Sequence, residues 1–316
     1  MVANGQSNVA ITPDLLLPDL LRAHPEARAV FDRYGLHGCG GPLGPYESIR
    51  FFARAHGVDE GRLRHELERA ISAPRPDGAA AAPGAPQGAD TIYRRYFLGG
   101  ILLALTAGAT WGAWLLWTIA VNGSFRSPSP HSIHAHGEAQ IFGWVGLFIM
   151  GFAYQAFPRL WHTTLAAPRL VAWAFGLMIA GLIVRTTGIA TAEAWSLAPP
   201  AALVGGALQV AAVLIFTGQI LTTFAHGGAK VEPYVGFVVA SLAWFGASSV
   251  VSIWHTWNTM TARSPEALTW YVATYQSPLR DLQIHGLALF MILGVSIRML
   301  PALYEVPRVA DRRAWR

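Results

Sequence analysis

Apolar and polar positions divide the chain into three parts. From about residue 10 to 72, short apolar patches alternate with charged residues at helical spacing, and residues 73–92 form a linker rich in Pro, Ala and Gly. Long apolar runs dominate from Tyr93 onward. The pattern predicts an all-α protein with a small N-terminal soluble helical domain (residues 1–72), a flexible linker and a membrane domain (residues 93–316).

The membrane domain contains six apolar stretches of about 20 residues or more, which is enough to cross roughly 30 Å of hydrocarbon. Together they predict a six-helix transmembrane bundle that contacts the lipid bilayer. We place the spans near residues 96–121, 134–157, 169–190, 199–224, 234–257 and 282–304.

The N-terminal domain shows the helical pattern on a smaller scale. The sequence predicts helices near residues 46–56 and 59–71, and Asp59 is the expected N-cap of the second one. About 60 residues is close to the lower limit for an independently stable core.

An internal similarity links the second and sixth spans. FIMGFAYQAFPRL in the second span matches MILGVSIRMLPAL in the sixth, and the match aligns Gly151 with Gly294 and Pro158 with Pro301. The two spans are therefore predicted to be related parts of a duplicated unit.

Composition and charge support a membrane protein. Hydrophobic residues make up 53% of the chain and charged residues 13%, whereas a soluble domain carries about 25% charged residues. The formal net charge is +5, but the basic residues lie mainly in linkers and at helix ends. We therefore interpret them as topology signals and expect no nucleic-acid partner. The positive-inside rule then predicts that both termini are cytoplasmic.

The histidines indicate where the chemistry lies. In the predicted topology, three separate spans bring imidazoles to the outer side of the membrane, and polar groups inside a bilayer are costly and usually functional. The residues are His134 and His136 at the outer end of the second span, His131 just outside that span, His255 at the outer end of the fifth and His285 near the outer end of the sixth.

Two charged residues accompany these histidines. Glu138 follows about one turn deeper in the second span, and Arg185 lies toward the outer end of the third span. An unpaired guanidinium would be costly at that depth. Its expected partner is a buried anion, either Glu138 or the carboxylate of a cofactor.

These residues allow three interpretations. Imidazoles from two helices can ligate a haem iron, with Arg185 meeting the propionates. Three imidazoles could instead hold copper or zinc. The third interpretation is that His and Trp residues lie at the membrane boundary for solvation alone. For haem, we predict His136 and His285 as the axial pair, with His134 and His255 as second choices.

Two spans resemble a known family. HAHGEAQIFGWVGLFIMGFAYQAFPRLW in the second span resembles the His-rich helix of the NnrS family of bacterial membrane proteins, and LQIHGLALFMILGVSIRMLP in the sixth resembles the NnrS pattern of a His followed by a helix that closes on an Arg. The second span is also distantly similar to haem-copper oxidase subunit I. The NnrS resemblance implies that the chain binds haem b and copper and takes part in the response to nitric oxide. It makes His134, His136 and His285 the candidate metal ligands.

The sequence differs from both of these families in ways that exclude part of their function. NnrS proteins typically have about twice as many spans as this chain. A haem-copper oxidase needs adjacent histidines for its copper, and the sequence contains no His-His pair. A terminal oxidase site is therefore not expected.

The N-terminal domain resembles the small helical domain of ScdA-type iron-centre repair proteins. The matching residues are the Pro25 segment, Tyr34-Gly35 and Cys39-Gly40-Gly41. Cys39 is the single cysteine of the chain, so a two-thiol redox cycle within one chain is excluded. Cys39 could bind a metal or nitric oxide, pair between chains, or serve only as part of a turn.

The sequence therefore predicts a haem protein of the bacterial inner membrane that acts in the nitric oxide or nitrosative stress response or in electron transfer. Expected partners are a small gas ligand such as nitric oxide, quinol or a redox protein, and a second copy of the chain. The alternatives are a quinol-linked cytochrome b, a copper or zinc protein without haem, and a metal-free transporter or sensor with proton-linked histidines. Whether it is an oxidoreductase acting on nitric oxide or quinol stays open.

Overall fold

The described residues of this computed structural model form ten helices and no β-strand, apart from one isolated bridge between Leu16 and Ser48. The all-α prediction is therefore confirmed. The structure describes residues 10–36, 43–73, 92–161, 163–228, 231–304 and 306.

Four short helices make the N-terminal helical domain around its own apolar core. Ser48 caps α3 by accepting a hydrogen bond from the amide of Phe51, and Asp59 caps α4 by accepting one from the amide of Arg62 at 2.8 Å. The predicted N-cap at Asp59 is confirmed. The helices are α1 (Leu17–Ala23), α2 (Arg28–Arg33), α3 (Ile49–His56) and α4 (Glu60–Ser72).

Six long helices follow, and each is apolar and long enough to cross a membrane. The predicted six-helix transmembrane bundle is confirmed, and the protein is a multi-pass membrane protein whose helices contact lipid. The helices are α5 (Ile92–Asn122), α6 (Pro130–Leu160), α7 (Leu170–Ala190), α8 (Ala198–Gly227), α9 (Pro233–Met260) and α10, which continues through Pro265–Asp281, Leu282–Leu289 and Phe290–Leu303.

The helical domain distinguishes the two ends of the bundle. Helix α3 contacts the last segments of α6 and α10, and we name this side the module end. The opposite side, where α6 and α8 begin and α7 and α9 end, is the distal end. Of the histidines predicted on the outer side, four lie toward the distal end: His131, His134, His136 and His255. His285 instead lies near the middle of the bundle, because the adjacent Gly286 packs against Trp244 in the middle of α9.

The last helix is longer than the sequence predicts. It begins at Pro265, whereas the sixth span was placed near residue 282. Ser264 caps the helix, with its side chain accepting from the amide of Ala267. Apolar content is low in this first segment, so hydropathy alone assigns it to a loop. Its aromatic residues instead contact α9, where Trp254 meets Tyr275 at 4.8 Å between ring centroids.

Three bundle helices contain a π-helical segment, a rare geometry that is frequent at functional sites. The segments are Ala104–Thr110, Ala139–Gly146 and Leu282–Leu289. The second and third begin 143 residues apart, which is also the separation of Pro158 from Pro301. The shared offset extends the predicted similarity between the second and sixth spans to backbone geometry.

Close contact between α7 and α8 positions the site. A Cβ on Gly181 would lie 2.7 Å from the carbonyl oxygen of Gly205, and a Cβ on Gly205 would overlap the backbone nitrogen of Arg185. Only glycine permits this approach. It places Arg185 of α7 beside Gln209 of α8.

Candidate functional site

A buried group of charged and polar side chains lies near the distal end. Glu138 lies eight residues into α6, about 12 Å along the helix at 1.5 Å per residue. Arg185 and His255 each lie five residues before the end of their helix, at a depth of about 8 Å. The distal cluster, as we name it, consists of His134, Glu138, Arg185, Gln209, Ser252, His255, Thr256, Arg280 and Gln283.

Glu138 is the centre of the distal cluster, and its side chain is wholly buried. Oxygen Oε2 accepts from Ser252 Oγ at 2.9 Å and lies 3.4 Å from Arg185 Nη2. Oxygen Oε1 accepts from Arg280 Nη1 at 3.1 Å and from Gln283 Nε2 at 3.4 Å. An ionised carboxylate accepts about four hydrogen bonds; Glu138 accepts three and has the ion pair with Arg185 beside them. One carboxylate thereby joins α6 to α7, α9 and α10.

Arg185 is as deeply buried as Glu138. Its Nη1 donates to Gln209 Oε1 at 2.8 Å, and its Nη2 donates to Ser252 Oγ at 2.7 Å and to Thr256 Oγ1 at 2.9 Å. Of the two partners considered from the sequence, the structure places Glu138 beside it. The Nε atom of Arg185 has no hydrogen-bond partner among the described residues.

Arg280 is the charged member of the cluster that the sequence did not predict; the uncharged members Gln209, Ser252, Thr256 and Gln283 were not predicted either. Its Nη1 donates to Glu138 and Gln283, and its Nη2 donates to Nδ1 of His134 at 3.3 Å. We assign the Gln276 amide with its oxygen toward Arg280, where it accepts from Nε and Nη2 at 3.1 Å each. All five N–H groups of this guanidinium then have acceptors. The sequence signal that could have identified Arg280 was the pair of glutamines four residues before and three residues after it, which are its neighbours on one helix face.

His134 and His255 meet at the edge of the cluster, with ring centroids 4.9 Å apart. Nε2 of His134 lies 3.1 Å from Thr256 Oγ1, while Nδ1 faces Arg280. A guanidinium only donates, so Nδ1 accepts and Nε2 carries the proton of a neutral ring. Both nitrogens of His134 are engaged, which leaves neither for a metal in this arrangement. Nδ1 of His255 is buried without a partner in the described part of the chain.

His136 faces a different neighbour, helix α5. Its Nδ1 lies 2.8 Å from the carbonyl oxygen of Ala107 and therefore donates to it, and its ring meets Trp111 edge-on. A Cβ on Gly112 would lie 3.3 Å from its Cε1. With Nδ1 protonated, Nε2 keeps its lone pair. A metal-ligating His typically has this pattern, with its other N–H on a carbonyl or carboxylate.

His285 lies on the outside of the bundle. Its side chain is 63% exposed and lies 3.3 Å from Asp281 one turn earlier, whereas Gln283 between them faces inward. The described contacts do not join His285 to His136. The structure therefore does not bring the predicted axial pair together within one chain, and both axial roles stay predictions.

The second-choice residues are the ones that the structure brings together. His134, His255, Glu138 and Arg185 all belong to the distal cluster. His131 is buried at the start of α6. Cys39 lies outside the described residues. The tryptophans predicted near the outer ends are largely exposed at the distal end, which is typical of a membrane interface: Trp114, Trp117, Trp254 and Trp257.

The donor set can be compared with the predicted cofactors. Within the described ranges, no group of three or more His, Cys, Asp or Glu side chains is arranged to hold a metal ion. His134, His136 and His285 face three different neighbours, so three imidazoles do not converge. The tautomer of His136 leaves a lone pair on Nε2, which fits one histidine ligand to a haem. His136 and His285 face different neighbours, so ligation by this pair stays a prediction.

Comparison of the chain with family models, with curated proteins and with solved structures finds no match.

Proposed function

We propose that the chain is a haem protein of the bacterial cytoplasmic membrane, with His136 as its single axial ligand and a role in nitric oxide handling. The observation that carries the proposal is the hydrogen bond from Nδ1 of His136 to the carbonyl of Ala107. This bond fixes the tautomer that leaves Nε2 able to bind iron.

The surroundings of His136 support a one-histidine site. The acceptor carbonyl of Ala107 lies in the π-helical segment of α5, and Gly112 of the same helix packs against the imidazole, where an added Cβ would lie 3.3 Å from Cε1 and 3.6 Å from Nε2. The bound haem would supply an iron centre able to bind a gas or exchange an electron. A haem held by His136 alone would be able to bind a gas at its iron, which favours gas binding over pure electron transfer.

Two sequence features support the cellular setting. The resemblance of α6 and α10 to the NnrS family and of the N-terminal domain to ScdA-type proteins links both parts to nitrosative stress. Basic residues cluster at the module end, and the positive-inside rule therefore favours a cytoplasmic location for that end and both termini: Arg94, Arg95, Arg159 and Arg169.

The test is a visible absorption spectrum of detergent-purified protein, oxidised and dithionite-reduced, with iron and copper analysis. We expect a Soret band and stoichiometric iron in the unmodified chain. The variant His136→Ala should lose both, whereas the matched control His285→Ala should retain them. A spectrum without a Soret band, or full haem retention in His136→Ala, would contradict the proposal.

A second measurement separates nitric oxide handling from quinol-linked electron transfer. The dithionite-reduced protein should bind nitric oxide, with a shift of its Soret band. A reduced haem that does not bind nitric oxide would favour the quinol-linked cytochrome instead.

The distal cluster favours a second candidate, a metal-free transporter or sensor. Buried ionisable groups in membrane bundles commonly mark ion or proton pathways, and His134 and His255 meet directly beside the Glu138 carboxylate. If the purified protein were colourless and metal-free, the transporter or sensor function would be favoured over the haem protein.

A further inference from the structure

The distal cluster carries more positive than negative charge. Glu138 supplies one negative charge, and Arg185 and Arg280 supply two positive charges. Arg280 has an acceptor for each of its N–H groups, and its side chain is 19% exposed. The less compensated charge is that of Arg185, whose side chain is 1% exposed. A buried charge without full compensation is strongly destabilising.

Buried nitrogen atoms without partners accompany this charge. Among the described residues, Nε of Arg185, Nε2 of Gln209 and Nδ1 of His255 have no hydrogen-bond partner. Each side chain is at most 1% exposed. The amide oxygen of Gln209 accepts from Arg185, so its unpartnered nitrogen lies close to the guanidinium. A buried polar group without a partner is rare and costly.

We propose that Arg185, Gln209 and His255 form a binding site for one small monovalent anion. An anion accepts hydrogen bonds from N–H donors, and its charge would balance the excess on Arg185. The N–H groups of Arg185 and Gln209 cannot bind a cation. The three residues come from α7, α8 and α9, so the anion would lie between these helices. The site involves neither His136 nor α5 and does not depend on the proposed haem.

The test measures thermal unfolding of the full-length purified protein with bromide as the probe. Gluconate at equal ionic strength is the reference because it is too large for such a site. We expect a saturable rise in Tm of about 2–4 °C in bromide, as for a ligand at about ten times its Kd. A Tm that is the same in both salts would overturn the proposal.

A charge-supplying variant provides a sharper comparison. Gln209→Glu places a carboxylate beside Arg185, so we expect its Tm in gluconate to match or exceed that of the unmodified chain. Its response to bromide should disappear. The matched control Arg263→Gln, which removes an exposed loop charge, should respond like the unmodified chain. An undiminished bromide response in Gln209→Glu would contradict the proposal.

A milder variant tests the site without altering charge. His255→Phe removes one donor and keeps a ring of similar shape, so we expect the half-saturating bromide concentration to rise about tenfold. An unchanged value would exclude His255 from the site.

The carboxylate of a bound cofactor offers the same chemistry as a free anion. If protein with a Soret band and protein without one respond equally to bromide, the site binds a free anion. A response confined to protein without haem would overturn the proposal.

Discussion

Buried polar side chains occur at both ends of the bundle, and the two ends satisfy them differently. At the module end, Tyr154 donates to Oε1 of Gln219 at 2.7 Å, and the amide nitrogen of Gln219 donates to the carbonyls of Ala166 and Ala167 at 3.3 and 3.0 Å. At the distal end, the contacts centre on the carboxylate of Glu138 and two guanidinium groups.

Neutral contacts at the module end fix the connection between α6 and α7. Tyr96 donates to the carbonyl of Val171 at 2.8 Å, and Trp161 donates to the hydroxyl of Tyr234 at the same distance. Each of these polar side chains has a hydrogen-bond partner, and most of the partners are backbone atoms. These contacts are explained by their role in holding the helices together. The distal cluster instead joins four helices through one carboxylate and two guanidinium groups.

The largest expected effect comes from removing the charge at the centre of the distal end. Glu138→Ala leaves Arg185 and Arg280 buried without their carboxylate, so we expect the free energy of unfolding to fall by about 3–5 kcal/mol. Unfolding in detergent by a chemical denaturant measures the loss. Adding Arg280→Met should recover part of it, because the second change removes one uncompensated charge. A loss below about 1 kcal/mol would show that the cluster does not stabilise the bundle.

A smaller effect is expected at the module end. Tyr154→Phe removes one neutral donor and leaves Oε1 of Gln219 unsatisfied, so the free energy of unfolding should fall by about 1–3 kcal/mol. Tyr304→Phe, at an exposed position, is the control and should change stability by less than about 0.5 kcal/mol. If Tyr154→Phe were as costly as Glu138→Ala, the distinction between the two ends would not hold.

Hydropathy was sufficient to predict the fold because each bundle helix must cover hydrocarbon over its whole length. The same criterion missed the segment from Pro265 to Asp281, where apolar residues are few and the helix extends past the apolar run. The π-helical segments have no local sequence signature. They reflect packing against neighbours, as at Gly143 and Gly286, where an added Cβ would lie 3.0 Å from Leu103 and 2.7 Å from Trp244.

Four of the nine members of the distal cluster were predicted from the sequence, and Glu138 was one of the two partners considered for Arg185. Burial cost identified Glu138 and Arg185, and the predicted topology gave the correct end of the bundle for His134, His136 and His255. His285 lies deeper, level with the middle of α9. Positions two residues apart on a helix differ in direction by about 200°, so His134 and His136 cannot face the same partner. The sequence does not say which of them faces inward. Arg280 was missed because its segment was assigned to a loop.

Two carboxyl groups extend the comparison to the helical domain. The carboxylate of Glu138 accepts three hydrogen bonds and forms an ion pair with Arg185. Glu47, between α2 and α3, has no hydrogen bond or ion pair to its carboxyl group among the described contacts. Burial raises the pKa of Glu47 from 4.5 to about 7. A carboxyl group without donors is thus easier to protonate, and the domain that contains it should respond to pH near neutrality.

The sign of that response follows from the raised pKa. Below pH 4.5, Glu47 is protonated in the folded and the unfolded chain, so it costs nothing. As the pH rises from 4.5 to 7, the unfolded chain loses this proton first, and the folded domain loses stability. The loss should be on the order of 1 kcal/mol, after a discount for the exposed part of the side chain.

The smallest predicted effect is therefore the one that depends on pH. Glu47→Gln cannot ionise, so at pH 8 its helical domain should be more stable than that of the unmodified chain, and at pH 4.5 the two should agree. Hydrogen exchange of peptides from α1 and α3 in the full chain, compared between variants at each pH, measures the difference. Glu68→Gln makes the same change at an exposed position of α4 and should show no such trend. Equal protection of Glu47→Gln and the unmodified chain at pH 8 would mean that water reaches the carboxyl of Glu47 and solvates it as it solvates Glu68.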